Sequence, residues 1–160
     1  MKICDRSKPL IKSGTNCLYA VMLLCGVFGC GQQSTTLKPK VSFEIYEVVL
    51  QPSPQTRSLK NEADGRTFLL LSPPIVTEKN VVSVTFQAHA EAGDVLFVKL
   101  SRTAGQRMKK ATAVRGGQLA VVIEDKIFSV ATIHATVDRD LQLTGEFTPE
   151  KIERWFESVN

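Results

Sequence analysis

A basic start followed by a short apolar run decides which part of this chain can build a fold. Met1 to Asn16 carries Lys2, Arg6, Lys8 and Lys12 against one acid, Asp5. An apolar run then extends from Leu18 to Cys30, 13 residues, and stops at the polar Gly31-Gln32-Gln33. A membrane-spanning helix needs about 20 apolar residues, whereas the apolar segment of a secretory signal needs only about 7–15. The run therefore reads as an export signal over residues 1–29, leaving the rest of the chain to form the domain. All four cysteines, Cys4, Cys17, Cys25 and Cys30, lie at or before position 30, so the remainder has no disulfide framework to lean on and must fold by its core.

The same boundary explains the charge. The chain has 20 basic and 16 acidic residues, but residues 1–29 hold four of the bases and one of the acids. The remaining residues are nearly neutral in sum and carry no footprint for nucleic acid. Val27-Phe28-Gly29-Cys30 resembles a bacterial lipobox, in which the cysteine is acylated and becomes the first residue after cleavage. That resemblance implies a lipid on Cys30 and a location on the outer side of a membrane. Residues 30–40 then read as lipidated cysteine plus a polar tether, and residues 41–160 as one domain of ordinary size.

Within the domain, Val41–Leu50 is rich in β-branched and aromatic residues and predicts a strand, stopped by Gln51-Pro52-Ser53-Pro54. The stretch to Gly65 reads as a surface loop. Thr67–Leu71 predicts a short strand ending at Ser72-Pro73-Pro74. Val82, Val84, Phe86 and Ala88 alternate onto one face of a strand, which pairs as a hairpin with Val95–Leu100. Thr103–Ala113 changes to helical spacing, with Thr103 as its cap and Ala104, Met108 and Ala111 on one face. Gln118–Ile123 and Lys126–Ile133 flank a tight turn at Glu124-Asp125, and Leu141–Gly145 is a further strand. Finally Thr148 and Pro149 open a helix whose stripe is Ile152, Trp155, Phe156 and Val159. These elements predict an α+β class: one antiparallel sheet with two helices packed on one face, a ferredoxin-like head.

Groups that could do chemistry are sparse. His89 and His134 follow apolar strand residues and read as exposed. No Cys or His pair has zinc spacing. Ser101 and Ser129 lack a nucleophile-elbow setting. Gly116-Gly117 joins helix to strand and is no phosphate loop, since no helix N-terminus comes after it. Glu124-Asp125 and the pair Asp138 and Asp140 could hold Ca²⁺ or act as acid and base, but turn and surface roles account for them. The expectation is a protein without catalytic residues, cofactor, metal or small-molecule substrate.

Four stretches carry a family resemblance. They are Leu71-Ser72-Pro73-Pro74-Ile75-Val76-Thr77, Val98–Met108, Gln118–Ile133 and Leu143-Thr144-Gly145-Glu146-Phe147-Thr148-Pro149-Glu150. Their order resembles the head subdomain of the first periplasmic domain of SecD, an accessory subunit of bacterial preprotein translocase. SecD is polytopic, and its membrane bundle has no counterpart in these 160 residues. The resemblance implies the head's fold and a role in binding proteins or exported polypeptides at an exposed sheet edge. The alternative is a structural or assembly lipoprotein of an envelope complex, with Arg107, Lys109 and Lys110 as part of the contact rim.

Overall fold

Residues 36–88 and 94–159 are described in the computed structural model. The strands and helices among them are β1 (Thr36–Pro39), β2 (Phe43–Val49), β3 (Thr56–Lys60), β4 (Thr67–Val76), β5 (Val81–Gln87), β6 (Asp94–Leu100), α1 (Arg102–Ala111), β7 (Gln118–Ile123), β8 (Lys126–Thr132), β9 (Asp140–Gly145), α2 (Pro149–Trp155) and β10 (Phe156–Ser158). The first sheet has the order β10-β1-β5-β6-β9 and the second the order β3-β4-β2-β7-β8. Every neighbouring pair is antiparallel.

The α+β class holds. The single sheet with helices on one face does not: the strands divide into two five-stranded sheets. The reason lies in which faces are apolar. Leu37, Val84, Leu96 and Val98 of the first sheet belong to one core with Phe43, Ile45, Val76, Val121 and Ile123 of the second. Ala104 and Met108 of α1 and Trp155 of α2 enter the same core, so the helices plug it instead of forming a layer. Burying each large side chain contributes about 1.5–3 kcal/mol. The second sheet is apolar on its other face too, where Tyr46, Leu70, Ala120, Val122 and Ile127 make a smaller cluster. Its two edges, β3 and β8, come into contact across that cluster. Arg57 pairs with Asp125 at 3.4 Å and Lys126 with Glu62 at 3.0 Å, while the Arg57 guanidinium lies 4.9 Å from the Tyr46 ring centroid.

Several sequence expectations change. Residues 36–39, expected in the tether, form β1 between β5 and β10. The expected loop before Gly65 contains β3, a polar edge strand whose Thr56, Ser58 and Lys60 hide its register from a hydrophobicity reading. β4 runs on through Pro73 and Pro74, with a cis Ser72–Pro73 peptide. Between Ile45↔Val76 and Glu47↔Leu71 the register jumps, so both prolines sit where the ladder asks for no N–H. A bulge in β5 puts Val81 with Val84 in the core and turns Val82 outward, 45% exposed. Ser101, not Thr103, caps α1, its hydroxyl accepting from the Ala104 N–H at 3.3 Å.

The last helix is shorter than its stripe predicts. Thr148 and Pro149 begin it as expected, and Glu150 in its first turn is held below the usual carboxylate range, chiefly by a hydrogen bond to Thr148. It ends at Trp155, and Phe156 turns into the extended β10. One more turn of a short helix adds little stability. Pairing Phe156 with Pro39 and Glu157 with Lys38 instead closes the edge of the first sheet.

Candidate functional site

β8 and β9 are the edge strands of the two sheets on one side of the core. At one end they are tied together. Gly145 has no Cβ, and one placed there would meet Phe128 Cζ at 2.8 Å, so the Phe128 ring lies against the glycine. Phe128 stacks on Phe147 with centroids 5.0 Å apart and meets Trp155 edge-on at 5.8 Å. The indole Nε1–H donates to Glu124 Oε2 at 3.2 Å, and Arg154 pairs with the same carboxylate at 2.9 Å.

At the other end the strands part. Ser129, Ala131 and Thr132 are too small to reach across to Leu141 and Leu143, and a cavity of about 270 Å³ opens between them. Ile45, Met108, Leu119 and Val121 form its apolar floor, while His134, Asp140 and Gln142 lie at its lining's polar margin. Ligand pockets for drug-sized molecules run about 300–1,000 Å³. The cavity is smaller than that and suits a few apolar side chains. Among the described residues β8 pairs with β7 alone and β9 with β6 alone, although the start of β8 also meets β3.

The segment joining the two strands is pinned, which holds the opening in place. Thr112 is fully buried; its hydroxyl donates to Met108 O at 2.8 Å and accepts the Val137 N–H at 2.8 Å. The Ile133 N–H donates to Gly117 O at 2.8 Å, and Arg139 Nε to Leu100 O at 3.2 Å. The opening is therefore built into the fold.

Of the residues singled out in the sequence, Cys30 and His89 lie outside the described residues. His134 is exposed, and no hydrogen bond among the described residues joins it to Ser129. Ser101 is occupied as a helix cap. Glu124 and Asp125 form the β7–β8 turn, both at positive φ (51° and 60°), the geometry of a two-residue hairpin. Glu124 is engaged by Trp155 and Arg154, while Asp138 and Asp140 are exposed. Among the described residues no three His, Cys, Asp or Glu side chains gather as a metal site. Arg107, Lys109 and Lys110 are exposed on α1, with Arg107 donating to Asn80 Oδ1 at 2.7 Å. Thr112 and the small residues of β8 carry no functional signal in the sequence; the run Ser129-Val130-Ala131-Thr132 in an otherwise apolar strand is the only trace of the cleft there.

Comparison with known proteins decides the family. The profile of the SecDF P1 head subdomain matches residues 55–154, more than half of the chain. The chain belongs to that family. Its fold is also that of solved SecDF structures. One, from work on the structure and function of SecDF as a membrane component that enhances protein export, is 11% identical with a TM-score of 0.52, covering 72% of this chain and 60% of that one. Another, SecDF in a super-membrane-facing form, is 12% identical with a TM-score of 0.51, covering 71% of this chain and 18% of that one. This chain thus spans less than two thirds of either SecDF chain. Among curated proteins none matches. The SecDF P1 head family match bears out the resemblance seen in the four sequence stretches.

Proposed function

We propose that this protein is a membrane-held, extracytoplasmic SecDF-head module that binds extended polypeptide without catalysing a reaction, in the service of protein export. The observation that carries the reading is the cleft between β8 and β9. It offers apolar volume for side chains beside β8 and β9, which end their sheets. The start of β8 rests against β3, and the outer edge of β9 pairs with no further strand among the described residues. An extended segment laid along either edge gains main-chain hydrogen bonds, and its alternate side chains enter the apolar floor. Family membership supports the link to export, because the related SecDF is described as enhancing protein export. In this reading Cys30 carries the lipid that holds the domain outside the membrane, and no cofactor takes part.

Anisotropy of a labelled, extended apolar peptide against the purified protein tests the site. Binding that Ala131→Trp suppresses, with the thermal melt unchanged, is the expected result. Equal binding by both proteins overturns the cleft as the site. The intact mass of membrane-extracted protein tests the leader: an N-terminal acylated Cys30 is expected, and retention of residues 1–29 overturns lipidation.

A further inference from the structure

The outer face of α1 is rich in cations, with Glu47 beside Arg107, Lys110 and Val114 at its margin and Asp138 against Gly105. From Arg102 to Ile123 there are five cations, Arg102, Arg107, Lys109, Lys110 and Arg115, and no acid. Elsewhere the charged segments mix signs, as in Glu62-Asp64-Arg66, Glu124-Asp125-Lys126 and Glu150-Lys151-Glu153-Arg154. None of the ion pairs among the described residues engages an α1 cation. Lys109 and Lys110 offset the negative end of the helix dipole, which two cations suffice to do. Just past the helix, Val114 stands 73% exposed between Lys110 and Arg115.

We infer that this face rests on an anionic membrane surface, its cations meeting lipid phosphates and Val114 reaching into the headgroup layer. Two observations favour a bilayer over an acidic protein. Protein interfaces are anchored by aromatic residues and depleted in lysine at their centre. Residues 102–123 contain no aromatic residue, and lysine and arginine flank the exposed Val114, a basic cluster of the kind that meets anionic lipid. The second observation is distance. β1 begins at Thr36, six residues after Cys30, so the chain between them spans at most about 20 Å. Whether the leader ends in an acyl group or stays embedded, the first strand starts within that distance of the bilayer. Thr36 pairs with Thr85, and Val81 with Leu100, the residue two before α1. The two rows are roughly 14 Å apart along the strands, within the tether's reach. The inference rests on the leader reading for proximity and is independent of polypeptide binding in the cleft.

Amine labelling of the full chain reconstituted in vesicles tests it, read by mass spectrometry at Lys109 and Lys110 with Lys60 and Lys126 as references. One set of vesicles is phosphatidylcholine alone; the other includes phosphatidylglycerol. Each cation at an anionic surface strengthens attachment about fivefold, so labelling of Lys109 and Lys110 should slow at least about threefold on the anionic vesicles only. Near 1 M salt the screening length falls to about 3 Å and the protection should vanish. Arg102→Glu with Arg115→Glu should also abolish it. Equal labelling on both vesicles overturns the inference. Protection that requires acidic envelope proteins and no lipid overturns it in favour of a protein partner.

Discussion

The same two strands behave oppositely at their two ends. Where β8 begins and β9 finishes, Phe128, Phe147 and Trp155 interlock over Gly145. Where β8 finishes and β9 begins, Ala131 and Thr132 leave an apolar cavity between the sheets. Large rings on one side and small side chains on the other make a hinge-like wedge from an otherwise regular pair of edges. The aromatic rings close the first end, while the second stays open above a packed floor of Ile45, Met108 and Val121. That division predicts that changes at the closed end are read in melting curves, and changes at the open end in binding.

Trp155→Ala should have the largest effect. It removes a buried ring that meets Phe128 and bonds Glu124, and a loss of about 3–5 kcal/mol is expected in urea unfolding. Gly145→Val comes next, because its side chain enters the space of the Phe128 ring; a cost of about 1–3 kcal/mol is expected from the same measurement. If either change left stability untouched but altered peptide binding, the division between the ends would be wrong. Ala131→Trp, on an exposed position of β8, should shift the melt by less than about 0.5 kcal/mol while weakening peptide binding about tenfold. Thr148→Ala removes the cap of α2 and should cost about 1 kcal/mol, seen as a lowered urea midpoint.

A pH-dependent effect separates both ends from the second core. Burial, with the Glu44 carboxylate beside it, pushes the Tyr46 hydroxyl up to about 12 from its ordinary value of 10.0. The folded protein therefore keeps this proton where the unfolded chain loses it. Stability from this group is complete below pH 10 and should fall as pH rises from 10 through 12. Urea midpoints at successive pH values should show this decline, and Tyr46→Phe should flatten it without touching peptide binding.

Element type was legible in the sequence wherever periodicity was strong. The β5–β6 hairpin, the apolar β7 and the Thr148-Pro149 start of α2 all come from local pattern. What local pattern could not show was partnership. β1 and β10 are four and three residues long, and they exist because each supplies the other's ladder. On β5 a bulge at Val82 exchanges inside for outside, and a one-residue shift of this kind is invisible to alternation. The division into two sheets likewise depends on distant residues such as Ile45 and Val98 sharing one core. The cleft was least legible, since it arises from side chains that are small and from a hydroxyl, Thr112, that looks like any surface threonine until its burial is known.

The placement of β1 has a mechanical consequence. It lies inside the sheet, flanked on both sides by antiparallel partners, and the chain enters it at Thr36. A pull from that direction runs along the strand and loads the hydrogen bonds to β5 and β10 together, in shear, instead of opening them one by one. β10 comes from the far end of the chain, and the Val159 N–H donates to Thr36 O at 2.9 Å. Tension arriving along β1 is thus shared at once with β10, making these two strands a single strain-bearing clasp.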